Sequence, residues 1–341
     1  MAQFHRRPPT LSQPTTAQLH HNAPSPTIAL PTSYNDLQWQ QIKTSHHPAS
    51  SPTPTATIVL TLYRPGKHNA FTNTMMEELE RAFEMFDVDD RVKCVVVTGH
   101  GRIFARGLIW RWDLKLREGR GLRIIEMALF HNSGGRVVLA IHRCRKPTIG
   151  AITGSAVGVG ITMTLPMTIR IALSSAKIGF VFSRRGLVME ACSSFFLPRL
   201  IGLARSLHVV TTGLTYPASD KVWGPLFSET YDTPEKVLSR ALELADEVTQ
   251  NTSIVSSYLM RELMYRDRGS AEGQHLLDSR ILYELFSSAD NAEGVKSFME
   301  KRPAKFTGTM ENSAPHAYPW WEPVHTTGPP KAEQQLGKAK L

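Results

Sequence analysis

No apolar run in the 341 residues approaches the roughly 20 residues that a helix needs to cross a bilayer. Membrane insertion is therefore not expected. The first residues also lack the basic-then-apolar order of a secretory signal. Cysteine is scarce: Cys94, Cys144 and Cys192 are far apart and odd in number. They allow no disulfide framework and no CxxC spacing, so a reducing compartment and no metal site are expected. They read as small buried hydrophobes. Residues 1–35 hold no acidic residue and are rich in Pro, Ser, Thr and His. Such a segment cannot bury enough apolar surface to offset its chain entropy, and disorder is expected. Its only Lys or Arg residues are Arg6 and Arg7, thin support for a transit peptide.

What is present is an ordinary hydrophobic share of 41%, enough for a sizeable core. The net charge of +9 raises the question of nucleic acid. Its distribution is uneven. Between Arg102 and Arg123 lie seven Lys or Arg residues against Asp113 and Glu118, a net of +5, with Trp110 and Trp112 among them. Outside that stretch the chain is only mildly basic.

Strands and helices alternate through the middle of the chain. "TIVLTLYRP" (57–65) reads as a strand ended by proline. Thr72 or Asn73 then caps a helix whose apolar face is Met76, Leu79, Phe83 and Phe86, at three- and four-residue spacing. "VKCVVVTG" (92–99), "KPTIGAITG" (146–154) and "TIRIALSS" (168–175) are short continuous apolar runs, as in strands covered on both faces. The alternation argues for an α/β core. From Pro234 the texture is helical only. The expected division is a disordered segment at 1–35, a core at 36–250, a helical region at 251–310 and an irregular tail at 311–341.

Two places stand out chemically. "ITGSAVGVGITMTLP" (152–166) puts Gly154, Gly158 and Gly160 between a strand and a helical segment. The spacing is not that of a dinucleotide loop, and no acid follows at the right distance. An exposed row of backbone N–H groups at a helix start, suited to an oxyanion, fits better; a plain tight turn is the alternative. In "GFVFSRRGLVMEACSSFFLPRLIG" (179–202) Glu190 is the lone acid. Apolar surroundings disfavour its charged form and raise its pKa toward neutrality, which suits a group that takes and returns a proton. A surface glutamate on a loop is the other reading.

"LYRPGKHNAF", "VVVTG", "KPTIGAITGSAVGVGITMTLPMTIRIA", "FVFSRRGLVMEACSSFFLPRLIG" and "SADNAEGVKSFMEKRPAKF" come in an order that resembles the crotonase superfamily, the enoyl-CoA hydratases and isomerases. The resemblance runs from about residue 55 to 310. It implies a ββα spiral core, a C-terminal helical trimerisation region giving a homotrimer or hexamer, and acyl-CoA substrates. No cofactor is implied beyond the coenzyme A of the substrate. The superfamily's shared step is a thioester enolate held by two backbone N–H groups. One corresponds to Val159, flanked by Gly158 and Gly160; the other corresponds to Arg106, followed by Gly107, Leu108 and Ile109 against the substrate. Removing one such donor typically costs about 3 kcal/mol of transition-state stabilisation.

Hydratases of this kind carry two catalytic glutamates, where this chain has Thr162 and Phe182. Glu190 instead falls where several Δ3–Δ2 enoyl-CoA isomerases carry a single one, which favours isomerisation over hydration. Phe298 and Lys301 match a motif that contacts coenzyme A; packing of Phe298 and solvation of Lys301 is the plainer reading.

The superfamily's second N–H sits in a loop reading F-C-A-G-A-D-L. Here Phe104 leads into Ala105-Arg106-Gly107-Leu108-Ile109-Trp110, and the match returns only at "GGRVVLAIHRCRKP". Phe-Ala-Arg-Gly-Leu-Ile-Trp can be encoded as TTT GCG CGG GGG CTG ATT TGG. Read two bases later, the same letters give Cys-Ala-Gly-Ala-Asp-Leu. Residues 106–130 thus read as out of frame, and their basic, aromatic patch is not expected to bind nucleic acid or a membrane. A crotonase-fold protein impaired by this loop is the alternative to an active enzyme. Finally, Ala339-Lys340-Leu341 is a close variant of the S-K-L address, so peroxisomal import by its receptor is expected. Fungal proteins of this appearance serve fatty-acid β-oxidation or clusters that make polyketide-type toxins.

Overall fold

The computed structural model describes residues 27–107, 133–324 and 326. Among the described residues ten strands form two sheets. The larger runs β1 (Ile42–His47), β2 (Thr57–Leu62), β3 (Cys94–Gly99), β5 (Thr148–Ile152), β7 (Ile169–Leu173), β10 (Glu229–Tyr231) in that spatial order. Only its β1–β2 pair is antiparallel. The smaller runs β4 (Ile103–Ala105), β6 (Ser155–Val157), β8 (Lys177–Gly179), β9 (Thr215–Pro217). The pairs β3–β4, β5–β6 and β7–β8 each leave one strand in either sheet before a helical stretch, which is the spiral that the resemblance implied.

The apolar runs explain the layering. Every residue of β3 and of β5 is buried, as expected of parallel strands covered on both sides. Cys94, Val96, Ile149, Ala151 and Ile171 face a helix at Pro234–Asn251 through its Val237, Ala241 and Ala245. Val95 and Val97 point the other way, into a core shared with Phe104, Ala156 and Ile178 of the smaller sheet. Helix α1 (Asn73–Val88) lies on that core too, its N-terminus capped by the Thr72 side chain, which accepts from the Met75 N–H.

The C-terminal helices Ile254–Tyr265, Ala271–Leu285 and Ala289–Glu300 follow the core. Val255, Leu259, Leu277, Ile281 and Trp320 make a smaller apolar cluster of their own. The indole N–H of Trp320 donates to the Arg266 carbonyl at 3.1 Å, so part of the irregular tail is docked. Among the described residues no helix is long and apolar enough to cross a membrane. Cys94 and Cys144 are buried and Cys192 half-buried, all free thiols.

One boundary differs from expectation. The structured chain reaches back past residue 35, because Tyr34 is fully buried and its hydroxyl donates to Asp89 at 2.9 Å. Its ring also packs on Phe86, with centroids 5.3 Å apart. A single aromatic with a buried partner outweighs the polar composition around it. Residues 1–26 lie outside the described residues.

Candidate active site

The glycine-rich turn is built for close approach of two chain segments. At Gly158 the backbone takes φ +60°, and a Cβ there would sit 3.4 Å from the Cα of Gly107. At Gly160 a Cβ would fall 2.3 Å from the Ala105 carbonyl oxygen, a distance no real side chain tolerates. Glycine at these positions lets the end of β4 abut the turn. Arg106 and Gly107 thereby lie beside Val157–Val159, the two segments expected to supply the oxyanion N–H groups. Val159 opens a one-turn helix, Val159–Thr162. The first N–H groups of a helix have no partner within it, so that of Val159 is not required by its own turn.

Glu190 is delivered by a strained turn. Ala191 and Cys192, neither a glycine, follow it at φ +54° and +53°, a left-handed conformation that costs roughly 1–2 kcal/mol per residue. Ser193 secures the turn, its N–H donating to the Glu190 carbonyl at 3.0 Å and its hydroxyl to the same oxygen at 2.5 Å. Strain of this kind gathers at functional sites, where the surrounding fold over-determines it.

The Glu190 carboxyl enters largely apolar surroundings. Its Oε1 accepts from the Thr162 hydroxyl at 2.9 Å. Its Oε2 is buried and has no hydrogen-bond partner among the described residues. Burial pushes the pKa up to about 7, and the Thr162 bond offsets part of that. A carboxyl poised there is half charged near neutrality and can both accept and return a proton.

These groups share a cavity of about 440 Å³, lined by Arg106, Gly107, Val159, Phe182, Leu187 and Glu190 among others. Lys67 and Arg185 add two cations to its wall. Glu190, Val159, Gly158, Arg106 and Gly107, expected from sequence, are thus brought together. Thr162 touches Glu190 and Phe182 lines the cavity, so both positions of the hydratase pair are in the site and neither holds a carboxyl.

Phe298 and Lys301 are not brought in. Neither lines the cavity; Phe298 stands 81% exposed on its helix, and Lys301 ends that helix at φ +52°. In one chain the C-terminal helix offers these side chains to solvent instead. Leu108, Ile109, most of the basic stretch and Ala339-Lys340-Leu341 lie outside the described residues. Sequence reasoning missed Gly134, where a Cβ would lie 2.0 Å from Glu190 Oε2. The "SGG" at the start of a helix, Ser133–Arg143, was the available signal. Among the described residues no cluster of His, Cys, Asp and Glu is able to hold a metal.

A family model described as enoyl-CoA hydratase/isomerase matches residues 53–309. The Alternaria alternata protein named enoyl-CoA hydratase ACTT3 is 46% identical over 282 residues, 83% of this chain and 92% of its own. The 1,2-epoxyphenylacetyl-CoA isomerase of Escherichia coli (strain K12) is 29% identical over 259 residues, 74% of this chain and 95% of its own. The crystal structure of a probable enoyl-CoA hydratase/isomerase from Mycobacterium abscessus matches with a TM-score of 0.67 at 28% identity, over 74% of this chain and 96% of that one. The chain belongs to the enoyl-CoA hydratase/isomerase family, and its α/β architecture is the crotonase fold.

Proposed function

We propose that this chain moves the double bond of an enoyl-CoA thioester from C3–C4 to C2–C3, with Glu190 as the only proton carrier. The observation that carries the reading is a buried carboxyl, raised to a pKa of about 7, the one acid lining the cavity among the described residues. Of the two hydratase positions, Phe182 lines the cavity and Thr162 is buried against Glu190. The Glu190 carboxylate takes a proton from C2, and the C–H electron pair passes into the thioester as a dienolate. The N–H groups of Val159 and Arg106 would hold the enolate oxygen. Glu190 then returns the proton at C4, and the electron pair closes as the C2–C3 double bond. Atoms balance with no water and no cofactor.

Hydration is the second reading, favoured by the name of the Alternaria relative, a hydratase. Adding water needs one group to activate it and help place a proton, and the usual carboxylate pair is missing. Supplying purified protein with 3-enoyl-CoA and 2-enoyl-CoA side by side separates the two. Isomerisation predicts conjugated product from the first; hydration predicts loss of conjugation in the second.

The setting is proposed on sequence alone. Ala339-Lys340-Leu341 supports delivery to the peroxisome by its import receptor, and work in fatty-acid oxidation or in making a toxin-type secondary metabolite. A homotrimer or hexamer is supported by the exposed Leu276, Tyr283, Phe298 and Met299 on the helices Ala271–Leu285 and Ala289–Glu300, and by Phe286 just after the first of them.

A further inference from the structure

We propose that Thr162 is a positioning residue for Glu190, its buried hydroxyl holding the carboxyl in one orientation beside the oxyanion turn. The inference rests on Glu190 being the proton carrier. Thr162 is 0% exposed and closes the same single turn, Val159–Thr162, that begins with the proposed oxyanion donor. One rigid turn therefore fixes both the group that stabilises the enolate and the group that aims the base. The hydroxyl donates to Oε1 at 2.9 Å. Its proton is thus committed to Glu190, and Oε2, unpartnered among the described residues, is the more basic oxygen.

Gly134 completes the arrangement from the other side. A Cβ there would overlap Oε2 at 2.0 Å, so the carboxyl is confined between a hydroxyl and a bare backbone. The position that would hold a second carboxylate in a hydratase has become a neutral donor. A carboxylate at 162 would repel Glu190 and raise its pKa further; a hydroxyl instead favours the charged form that takes the C2 proton.

Other charged groups line the same cavity from several elements. Lys67 follows β2, Arg106 follows β4, and Arg185 lies in the short turn Ser183–Arg185. Cys192 is two residues on, its thiol pushed up by burial and by Glu190. On the helix Ser133–Arg143, Arg136 is engaged by Glu80. Among the described residues none of these is ion-paired with Glu190.

The test compares Thr162→Val, which keeps the shape and removes the donor, with Thr162→Ser, which keeps the donor. In the intact chain, the Glu190 carboxyl is titrated by its infrared C=O band, read as the difference from Glu190→Gln. Thr162→Val should move the midpoint up by about one pH unit, the scale of one lost hydrogen bond to a charged group. With 3-enoyl-CoA, the acidic limb of kcat/KM should move with it, and kcat should fall roughly tenfold at little change in KM. Thr162→Ser should restore both. An unmoved midpoint in Thr162→Val, or a Thr162→Ser that behaves like the valine variant, would overturn the positioning role. Full activity in Glu190→Gln would instead sink the reading of Glu190 as base, a separate failure.

Discussion

Replacing Glu190 by glutamine should make the protein more stable at alkaline pH while removing its activity. The folded-state pKa of about 7 lies above the ordinary 4.5. Folded protein therefore keeps the proton across a range where the unfolded chain releases it. Stability falls as pH rises through that window, and the penalty is complete above pH 7. A displacement from 4.5 to about 7 corresponds to about 3 kcal/mol of penalty. At pH 5 most of it is absent. Between pH 5 and pH 8 the wild type should thus lose about 2 to 3 kcal/mol relative to Glu190→Gln, or about 5 °C of melting temperature for a chain of this size. The glutamine carbonyl can still accept from Thr162. Its amide gains an unpartnered donor near Gly134, but that cost is the same at both pH values and cancels. Thermal unfolding of both proteins at pH 5 and pH 8 checks this. A melting-temperature gap that does not change with pH would refute the claim that burial holds this carboxyl protonated.

Three further outcomes follow from the same structure and sequence. Gly160→Ala should cost about 1–3 kcal/mol, the scale of overpacking, because its Cβ would meet the Ala105 carbonyl oxygen at 2.3 Å; urea unfolding midpoints would read it, and an unchanged midpoint would contradict the close approach. A fluorescent fusion at the N-terminus should be peroxisomal and should be released by deleting Ala339-Lys340-Leu341; a cytosolic signal from the intact fusion would end that reading. Genomic DNA across codons 104–110 should spell Cys-Ala-Gly-Ala-Asp-Leu in the shifted frame; codons incompatible with it would show the loop to be genuine.

Much of the fold was legible because burial on both faces leaves a plain record. The runs at 92–99 and 146–154 gave β3 and β5, and of the two expected caps of α1, Thr72 or Asn73, the Thr72 side chain is the one that caps it. Glu190 was legible too, as one acid in apolar company. What could not be read depends on contacts distant in sequence. Thr162 and Glu190 are 28 residues apart, and their meeting requires left-handed Ala191 and Cys192, residues with no turn signature. Nor could the chain show that Gly134 clears space for Oε2, since two glycines opening a helix read equally as a weak start. Tyr34 was hidden by the polar composition around it, which says nothing of one well-placed ring. Phe298 and Lys301 show the converse: a motif match named residues that a single chain does not fold into the site.

In the proposed reaction one carboxyl carries one proton from C2 to C4. The most direct measurement uses 3-enoyl-CoA bearing deuterium at C2, with the 2-enoyl-CoA product analysed by mass spectrometry. Deuterium is expected at C4 of product made by the intact protein. Turnover should be at least about 100-fold lower in Glu190→Gln, the scale of a positioned acid–base group. Product whose new C4 hydrogen comes only from solvent, formed at a rate that Glu190→Gln leaves unchanged, would contradict it.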